Sequence, residues 1–333
     1  MNKILVTGGA GYIGSHVALE LLDGGYDVVV LDDLSCGFEF LIDKRAKFFR
    51  GCIGDVGLVG DIIDGCGIDG VVHLAGFIAV GESVLDPLKY YDNNAAKSLR
   101  FLQVLVDKKV GNFVFSSTAA VFGNVGKDEI PINENCLKKP INPYGRSKLF
   151  IEDALVDIGN VVGDFNSVIL RYFNACGADF EKRAGECHDP ETHLIPLAIR
   201  AAMDGGVMKV FGDDYDTFDG TCVRDYIHVS DLARIHVLAL NYLFDGGKSD
   251  DFNCGYKKGF SVRQIIDVVK DVAGDDFEVV VEGKRSGDPD ILIADNFKLV
   301  EKLGFKARFC DLKTIIESAY GWEKKRRKSF LLK

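Results

Sequence analysis

The chain has 333 residues, 47% of them hydrophobic and 27% charged, with 40 basic against 50 acidic side chains. That is the profile of a soluble globular protein, long enough for two domains or one large α/β unit. The net charge of −10 argues against nucleic acid or an anionic membrane as the main partner. The start, Met1-Asn2-Lys3, leads straight into a strand pattern, so no signal peptide is expected. No apolar run is long enough to span a bilayer. Nine cysteines, an odd number, stand singly without CxxC spacing, which predicts reduced thiols in the cytoplasm. The neighbours Cys187 and His188 hint only weakly at a metal, and no metal is expected.

In chain order, Ile4-Leu5-Val6 reads as a short buried strand, followed by glycines at three-residue spacing, Gly8, Gly11 and Gly14. Val17, Leu19, Leu21 and Leu22 then form a helical stripe that Gly24-Gly25 can end. A second apolar run, 28–31, closes on Asp32-Asp33. Strand, glycine turn, helix, strand and acid make a dinucleotide-binding βαβ unit. Glycines let the backbone approach a pyrophosphate, and the helix N-terminus offers N–H groups to it. The carboxylate accepts from a ribose 2′-hydroxyl and repels a 2′-phosphate, which favours NAD over NADP.

Further strands are expected at 47–50, at 71–76 (with small residues at its end), at 112–115 (ending in Ser116-Ser117-Thr118) and at 168–170. Helical patterns separate them, including 99–106 after Asn93-Asn94, as a parallel sheet requires. The predicted fold is therefore α/β, a Rossmann-type doubly wound parallel sheet with a smaller α/β C-terminal substrate domain. The pattern turns irregular from 175 to 224, with a helix at 196–203, a strand at 209–211 and a polar loop to 224. Helices at 231–244, 262–273 and 311–320 and a strand at 278–281 follow, and the basic end 324–328 reads as a solvated tail. The division expected is 1–174 for the nucleotide domain, with a later contribution from about 225–254, and 175–333 for the substrate domain.

Tyr144-Gly145-Arg146-Ser147-Lys148 carries the chemistry. Pro143 pre-sets a helix start, and Tyr144 and Lys148 then lie one turn apart on one face. A free phenol near pKa 10 is a poor base at neutral pH. A neighbouring ammonium and the positive nicotinamide ring favour the phenolate. Lys148 can also hold the nicotinamide ribose. Thr118, at the C-terminal end of its strand, stands where open α/β sheets place ligands, and its hydroxyl can share a substrate proton with Tyr144.

Thr7-Gly8-Gly9-Ala10-Gly11-Tyr12-Ile13-Gly14 and the Thr–Tyr–Lys set resemble the extended short-chain dehydrogenase/reductases. Other strings are similar to the UDP-glucose 4-epimerase family within them. These are His73-Leu74-Ala75-Gly76, Val80-Gly81-Glu82-Ser83, Tyr90-Tyr91-Asp92-Asn93-Asn94, Arg171-Tyr172-Phe173-Asn174, His193-Leu194-Ile195-Pro196, the run from Asp219 to His228, and Gly287-Asp288-Pro289. The resemblance covers nearly the whole chain. It implies reversible NAD-dependent epimerisation at C4 of a UDP-hexose, UDP-galactose to UDP-glucose, through a transient 4-keto sugar. Tyr144 would be the base, and the C4 hydride would pass to a tightly held NAD and return to the other face.

The resemblance also implies roles by position. Asp32 and Asp33 would hold the adenosine ribose, Gly11-Tyr12-Ile13 the pyrophosphate, and Asn93 and Lys148 the nicotinamide side. Gly8, Gly14, Cys52, Ile53, Leu74, Ala75, Gly76, Ser116 and Phe173 complete the cofactor set. On the substrate side, Phe173 and Asn174 would line the sugar–diphosphate pocket together with Thr118 and Tyr144. Arg224 and Arg285, joined by His193 and Leu194, would meet the diphosphate, where planar bidentate donors suit. Asp288 would accept from the uridine ribose, and Lys209-Val210-Phe211 would edge the uracil. The helices after Asn93 and around Tyr144 would pair two subunits into a homodimer.

Four positions depart from the family pattern. Ile78 stands where a lysine reaches the NAD phosphate in some members, and Cys52 where an aspartate commonly meets the adenine amine; Asp55 is three residues out of register. His193 replaces an asparagine at the diphosphate. Leu292 stands where a tyrosine excludes N-acetyl sugars, which keeps UDP-N-acetylglucosamine open as an alternative, beside UDP-glucuronate or a UDP-pentose. A 4,6-dehydratase would need an Asp-Glu pair after the hydroxyl residue, where this chain has Ala119-Ala120. A non-catalytic NAD-binding regulator would have no need of Tyr144 and Lys148, and a net dehydrogenase would accumulate NADH.

Overall fold

A computed structural model describes residues 2–284 and 288–330. In chain order the strands are β1 (Lys3–Thr7), β2 (Asp27–Asp32), β3 (Lys47–Arg50), β4 (Gly70–His73), β5 (Asn112–Thr118), β6 (Asn166–Tyr172), β7 (Asn174–Cys176), β8 (Val207–Phe211), β9 (Val223–His228), β10 (Asp250–Cys254), β11 (Gly259–Ser261), β12 (Glu278–Glu282) and β13 (Ile291–Leu292). The helices are α1 (Tyr12–Asp23), α2 (Val56–Cys66), α3 (Val80–Leu85), α4 (Pro87–Tyr90), α5 (Lys97–Asp107), α6 (Pro143–Val161), α7 (Leu194–Asp204), α8 (Val229–Phe244), α9 (Val262–Ala273), α10 (Phe297–Leu303) and α11 (Leu312–Phe330).

Seven strands form one parallel sheet in the order β10-β6-β5-β4-β1-β2-β3. Both faces are covered, which is why its strands read as near-continuous apolar runs instead of alternating ones. On one face α1 and α8 bury Val17, Leu21, Leu232 and Leu240 against Val6, Val30 and Val114. On the other, α2, α5 and α6 bury Ile62, Phe101 and Ile151 against Leu5, Val71 and Phe113. The chain leaves β1 toward β2 on one side while β4 pairs with β1 on the other. The strand order therefore reverses between β1 and β4, and their C-terminal ends form the crevice where such sheets hold ligands.

Smaller units pack at that end. β11, β9 and β13 form a short sheet with β7 on its side, and β12 pairs with β8. Their core joins α7, α9 and α11 through Ile199, Ile265, Ile315 and Val210. Strand β10 rejoins the large sheet beside β6, and α8 packs on α1.

Two expectations need correction. The basic end is no solvated tail: it is the last part of α11, where Arg326 and Arg327 pair with Glu323 and Arg327 also reaches Asp204. Charge on one face of a long amphipathic helix reads as a tail only when its partners are out of view. Secondly, the helix expected from 99 begins at Lys97 and is preceded by a wide π-helical stretch, Tyr91–Ala96, that carries Asn93 and Asn94. Such stretches concentrate at functional sites because they re-aim side chains.

Candidate active site

The glycine turn after β1 is shaped by contacts that admit no side chain. Gly8 is left-handed at φ 72°, and a Cβ there would stand 2.7 Å from the amide nitrogen of Ala75. A Cβ on Gly14 would stand 2.0 Å from the Gly8 carbonyl oxygen. The loops after β1 and β4 are thus packed backbone to backbone, with Leu74 and Ala75 beside Gly8. Gly11 caps α1 without any side-chain acceptor, so the first N–H groups of α1, from Tyr12, Ile13 and Gly14, face the crevice as an anion site. Tyr12 turns away from it and donates to the Gly177 carbonyl at 2.6 Å.

Asp32 is buried at the end of β2, with one carboxylate oxygen on the Ala10 N–H (2.9 Å) and the other on the Leu34 N–H (2.8 Å). Burial raises its pKa and the two amides oppose that rise. Each oxygen keeps a lone pair for a ribose hydroxyl. Asp33 is exposed and accepts from the Ser35 N–H. Cys52 accepts weakly from the Gly54 N–H, and Ile53 is core. Asp55 plays no part here and instead caps α2 by accepting from the Leu58 N–H. Ile78 is about half exposed and contributes no charge.

The catalytic candidates converge. Tyr144 and Lys148 lie on the first turns of α6, which starts because Asn142 caps the Gly145 N–H at 2.8 Å and Pro143 follows. The Tyr144 phenol and the Thr118 hydroxyl share a hydrogen bond. The Lys148 ammonium donates to the Ser116 carbonyl at 2.9 Å and lies 4.9 Å from the Phe115 ring centre. The Ser116 hydroxyl meets His236 instead. Burial raises the Tyr144 pKa, against the Thr118 hydrogen bond, and burial pulls Lys148 down to about 8. The lowering expected of the phenol depends on the lysine and the nicotinamide ring together, and in the chain by itself burial outweighs the Thr118 hydrogen bond. Desolvation is larger, and the opposing positive charge has to come from a bound ligand.

The π-helical stretch adds a residue that the sequence reading passed over. Asn94, not its neighbour, ties the site together: its side-chain oxygen accepts from the Phe77 N–H at 2.8 Å, and its amide donates to the Phe77 carbonyl and to Ser147. Asn93 pairs with Lys97 and with Asn94. A Cβ on Gly76 would touch both the Asn94 oxygen and the Lys148 nitrogen. The two asparagines are adjacent in the chain, and only the wide turn decides which of them faces inward.

On the opposite wall, Phe173 and Leu292 pack on one small cluster with Val121 and Phe122. Asn174 opens β7 opposite Tyr226. Arg224 is buried and ion-paired with Asp288, not with the adjacent Asp225. Asp225 instead accepts the N–H groups of Tyr256, Lys257 and Ala294, and burial raises it to about 6. Lys209 pairs with Glu282, while the Val210 side chain is core, so beside Phe211 it would meet a ring only through its backbone. His193 caps α7, ahead of Leu194, with its Nδ1 2.9 Å from both Glu186 and Glu191. Those two carboxylates hold it well up, at about 10. Sequence reading missed both, although Glu-x-His and Glu-x-His recur at 186–188 and 191–193. Arg285 lies outside the described residues.

The profile of the NAD dependent epimerase/dehydratase family matches residues 4–255. The chain belongs to that family. This epimerase-family chain is 47% identical over 328 residues to the UDP-glucose 4-epimerase of Rhizobium meliloti, covering 98% of each. It is similar to the crystal structure of UDP-glucose 4-epimerase from Brucella ovis in complex with NAD, with 43% identity, TM-score 0.92 and coverage of 97% and 98%. It is equally similar in fold to the Bifidobacterium longum UDP-glucose 4-epimerase in complex with NAD+ and UDP, with TM-score 0.92, 36% identity and coverage of 99% and 100%. The family's dinucleotide fits this chain's own geometry: Gly11 caps α1 with no side-chain acceptor on its first N–H groups, and Asp32 ends β2 with lone pairs left for ribose hydroxyls.

Proposed function

We propose that this epimerase interconverts UDP-galactose and UDP-glucose by C4 oxidation and re-reduction. The observation that carries the reading is the joining of Thr118, Tyr144 and Lys148 at the C-terminal end of β5, beside the glycine cradle. The cradle, Asp32 and the α1 N-terminus would bind NAD, which supplies the acceptor and donor of the C4 hydride. Thr118 orients the sugar 4-hydroxyl and Tyr144 takes its proton. Lys148, fixed on the Ser116 carbonyl, adds positive charge beside the nicotinamide ribose. Tyr144 returns the proton after the ketosugar has turned its other face. Net redox change is zero.

Asn174, His193, Arg224, Arg285 and Asp288 would hold the UDP portion. The Arg224–Asp288 pair is suited to this: Arg224 can turn its fork to the diphosphate while Asp288 accepts ribose hydroxyls. Residues 1–174 with 225–254 would serve the dinucleotide, and 175–333 the UDP-sugar. Two copies would pair through α5 and α6, supported by the exposed apolar residues Leu99 and Phe150. All nine cysteines are free, in keeping with a reducing cytoplasm.

The test is conversion of UDP-galactose to UDP-glucose by purified protein, with Tyr144→Phe as control and light scattering for the dimer. Conversion abolished by the substitution supports the reading. No conversion at saturating NAD overturns it and turns attention to UDP-glucuronate and UDP-xylose. Activity on UDP-N-acetylgalactosamine is the second reading, favoured by Leu292, which is smaller than a tyrosine and packs on the same Val121–Phe122 cluster as Phe173.

A further inference from the structure

Four side chains at 186–193 converge outside the Tyr144 site. Glu186, His188, Glu191 and His193 each present one donor atom within 4.8 Å of the others. The His193 Nδ1 is 2.9 Å from a carboxylate oxygen of Glu186 and 2.9 Å from one of Glu191. The His188 Nδ1 is 3.3 Å from Glu186 and 3.8 Å from Glu191. In a tetrahedron with bonds of about 2.1 Å to N and O, ligand atoms stand about 3.4 Å apart, and the three distances that join the Glu186 oxygen, the two Nδ1 atoms and Glu191 Oε2, at 2.9, 3.3 and 3.8 Å, straddle that value.

Two of these donors have no hydrogen-bond partner. The Glu191 side chain is 1% exposed, yet its Oε2 is buried and unpaired, as is the His188 Nδ1. The other Glu191 oxygen is fully used: it accepts from the Thr192 N–H, the His193 N–H and the His193 ring. Two backbone amides thus orient the carboxylate and leave Oε2 aimed at His188. Arg200 is 3.7 Å from Oε2, close enough to balance charge but too far to occupy the lone pair. A buried carboxylate oxygen and an imidazole nitrogen left bare against each other cost free energy unless something binds between them.

We propose that Glu186, His188, Glu191 and His193 form a closed structural site for a divalent transition metal, zinc foremost. Two imidazoles and two carboxylates suit zinc, and four protein ligands leave no open position for catalysis. The frame is rigid: the Glu186 carbonyl accepts from the Trp322 indole at 3.0 Å, and the His188 ring meets the edge of Tyr12 on α1. The ion would join the segment entering α7 to α11 and to the helix that opens the dinucleotide site. His193 bound through Nδ1 keeps its other ring N–H as a donor.

The experiment uses full-length protein made without a histidine tag, stripped with EDTA and titrated with Zn2+ and Co2+. One ion per chain is expected, with the visible bands of tetrahedral Co2+. X-ray absorption at the zinc edge should find N/O neighbours at about 2.0–2.2 Å and no sulfur at about 2.3 Å. Glu191→Gln and His188→Ala should each weaken Zn2+ more than ~100-fold, beyond the effect of outer-shell partners. Absence of binding at micromolar Zn2+ overturns the proposal. So does a sulfur shell, which would point to cysteines, or unchanged affinity in both variants. Because the absorption spectrum is read on the unsubstituted chain, it decides the matter even where a variant does not fold.

Discussion

The Lys148 ammonium is bonded at 2.9 Å to the main-chain carbonyl of Ser116, two residues before Thr118 on the same strand. The lysine is therefore positioned by β5, and Tyr144, one turn away on α6, is positioned by the same strand through Thr118. Phenol, hydroxyl and ammonium form one frame spanning a single strand–helix contact.

Tyr144→Phe removes the proton acceptor without removing the ring. A fall in kcat of about 10²–10⁴-fold is expected, with NAD still retained. Turnover and cofactor content of the purified variant check this together; wild-type kcat in the variant would exclude Tyr144 as the base.

The buried Lys148 carries a pH signature. Its folded value of about 8 lies below the ordinary lysine value, Glu152 opposing the burial. Below pH 8 both states hold the proton and the folded chain bears the full cost of the buried charge. Between pH 8 and about 10.4 only the unfolded chain stays protonated, so stability rises with pH across that window. Relative to Lys148→Met, the parent should gain roughly 3 kcal/mol from pH 7 to above 10. Urea unfolding of both chains at several pH values measures it, and a flat difference would contradict the burial.

Beneath the site, fully buried Arg171 holds Glu152 through two donors, at 2.8 Å and 2.9 Å, and Asp251 at 2.6 Å. Glu152→Ala leaves that guanidinium with one half-buried partner. The loss should fall toward the lower end of ~3–5 kcal/mol because Asp251 stays. Chemical denaturation reads it.

Gly14→Ala sets a methyl 2.0 Å from the Gly8 oxygen. The turn must open, and the purified variant should carry no NAD even where its circular dichroism is unchanged.

Leu292→Tyr adds bulk at the Val121–Phe122 cluster on which Phe173 also packs. Turnover of UDP-N-acetylgalactosamine should fall at least ~10-fold in kcat/KM while UDP-galactose changes less than ~3-fold, a difference of the size one pocket contact can make. Equal loss on both sugars would mean that this position does not sort them.

The glycine spacing, the apolar runs and Asp32 determined by themselves that a dinucleotide-binding βαβ unit opens the chain, because that unit closes within about thirty residues. Tyr144 and Lys148 were legible for the same reason: a helical turn brings them together without help from the rest of the fold. What only the tertiary structure decided rests on distant pairings. Arg224 chose Asp288, 64 residues away, over its neighbour Asp225, because strand geometry turns adjacent side chains to opposite faces. Arg327 found Asp204, 123 residues back, and made a tail into a helix end. The burial that raises the Tyr144 phenol, against the Thr118 hydrogen bond, is a property of the assembled core that no spacing in the sequence reveals.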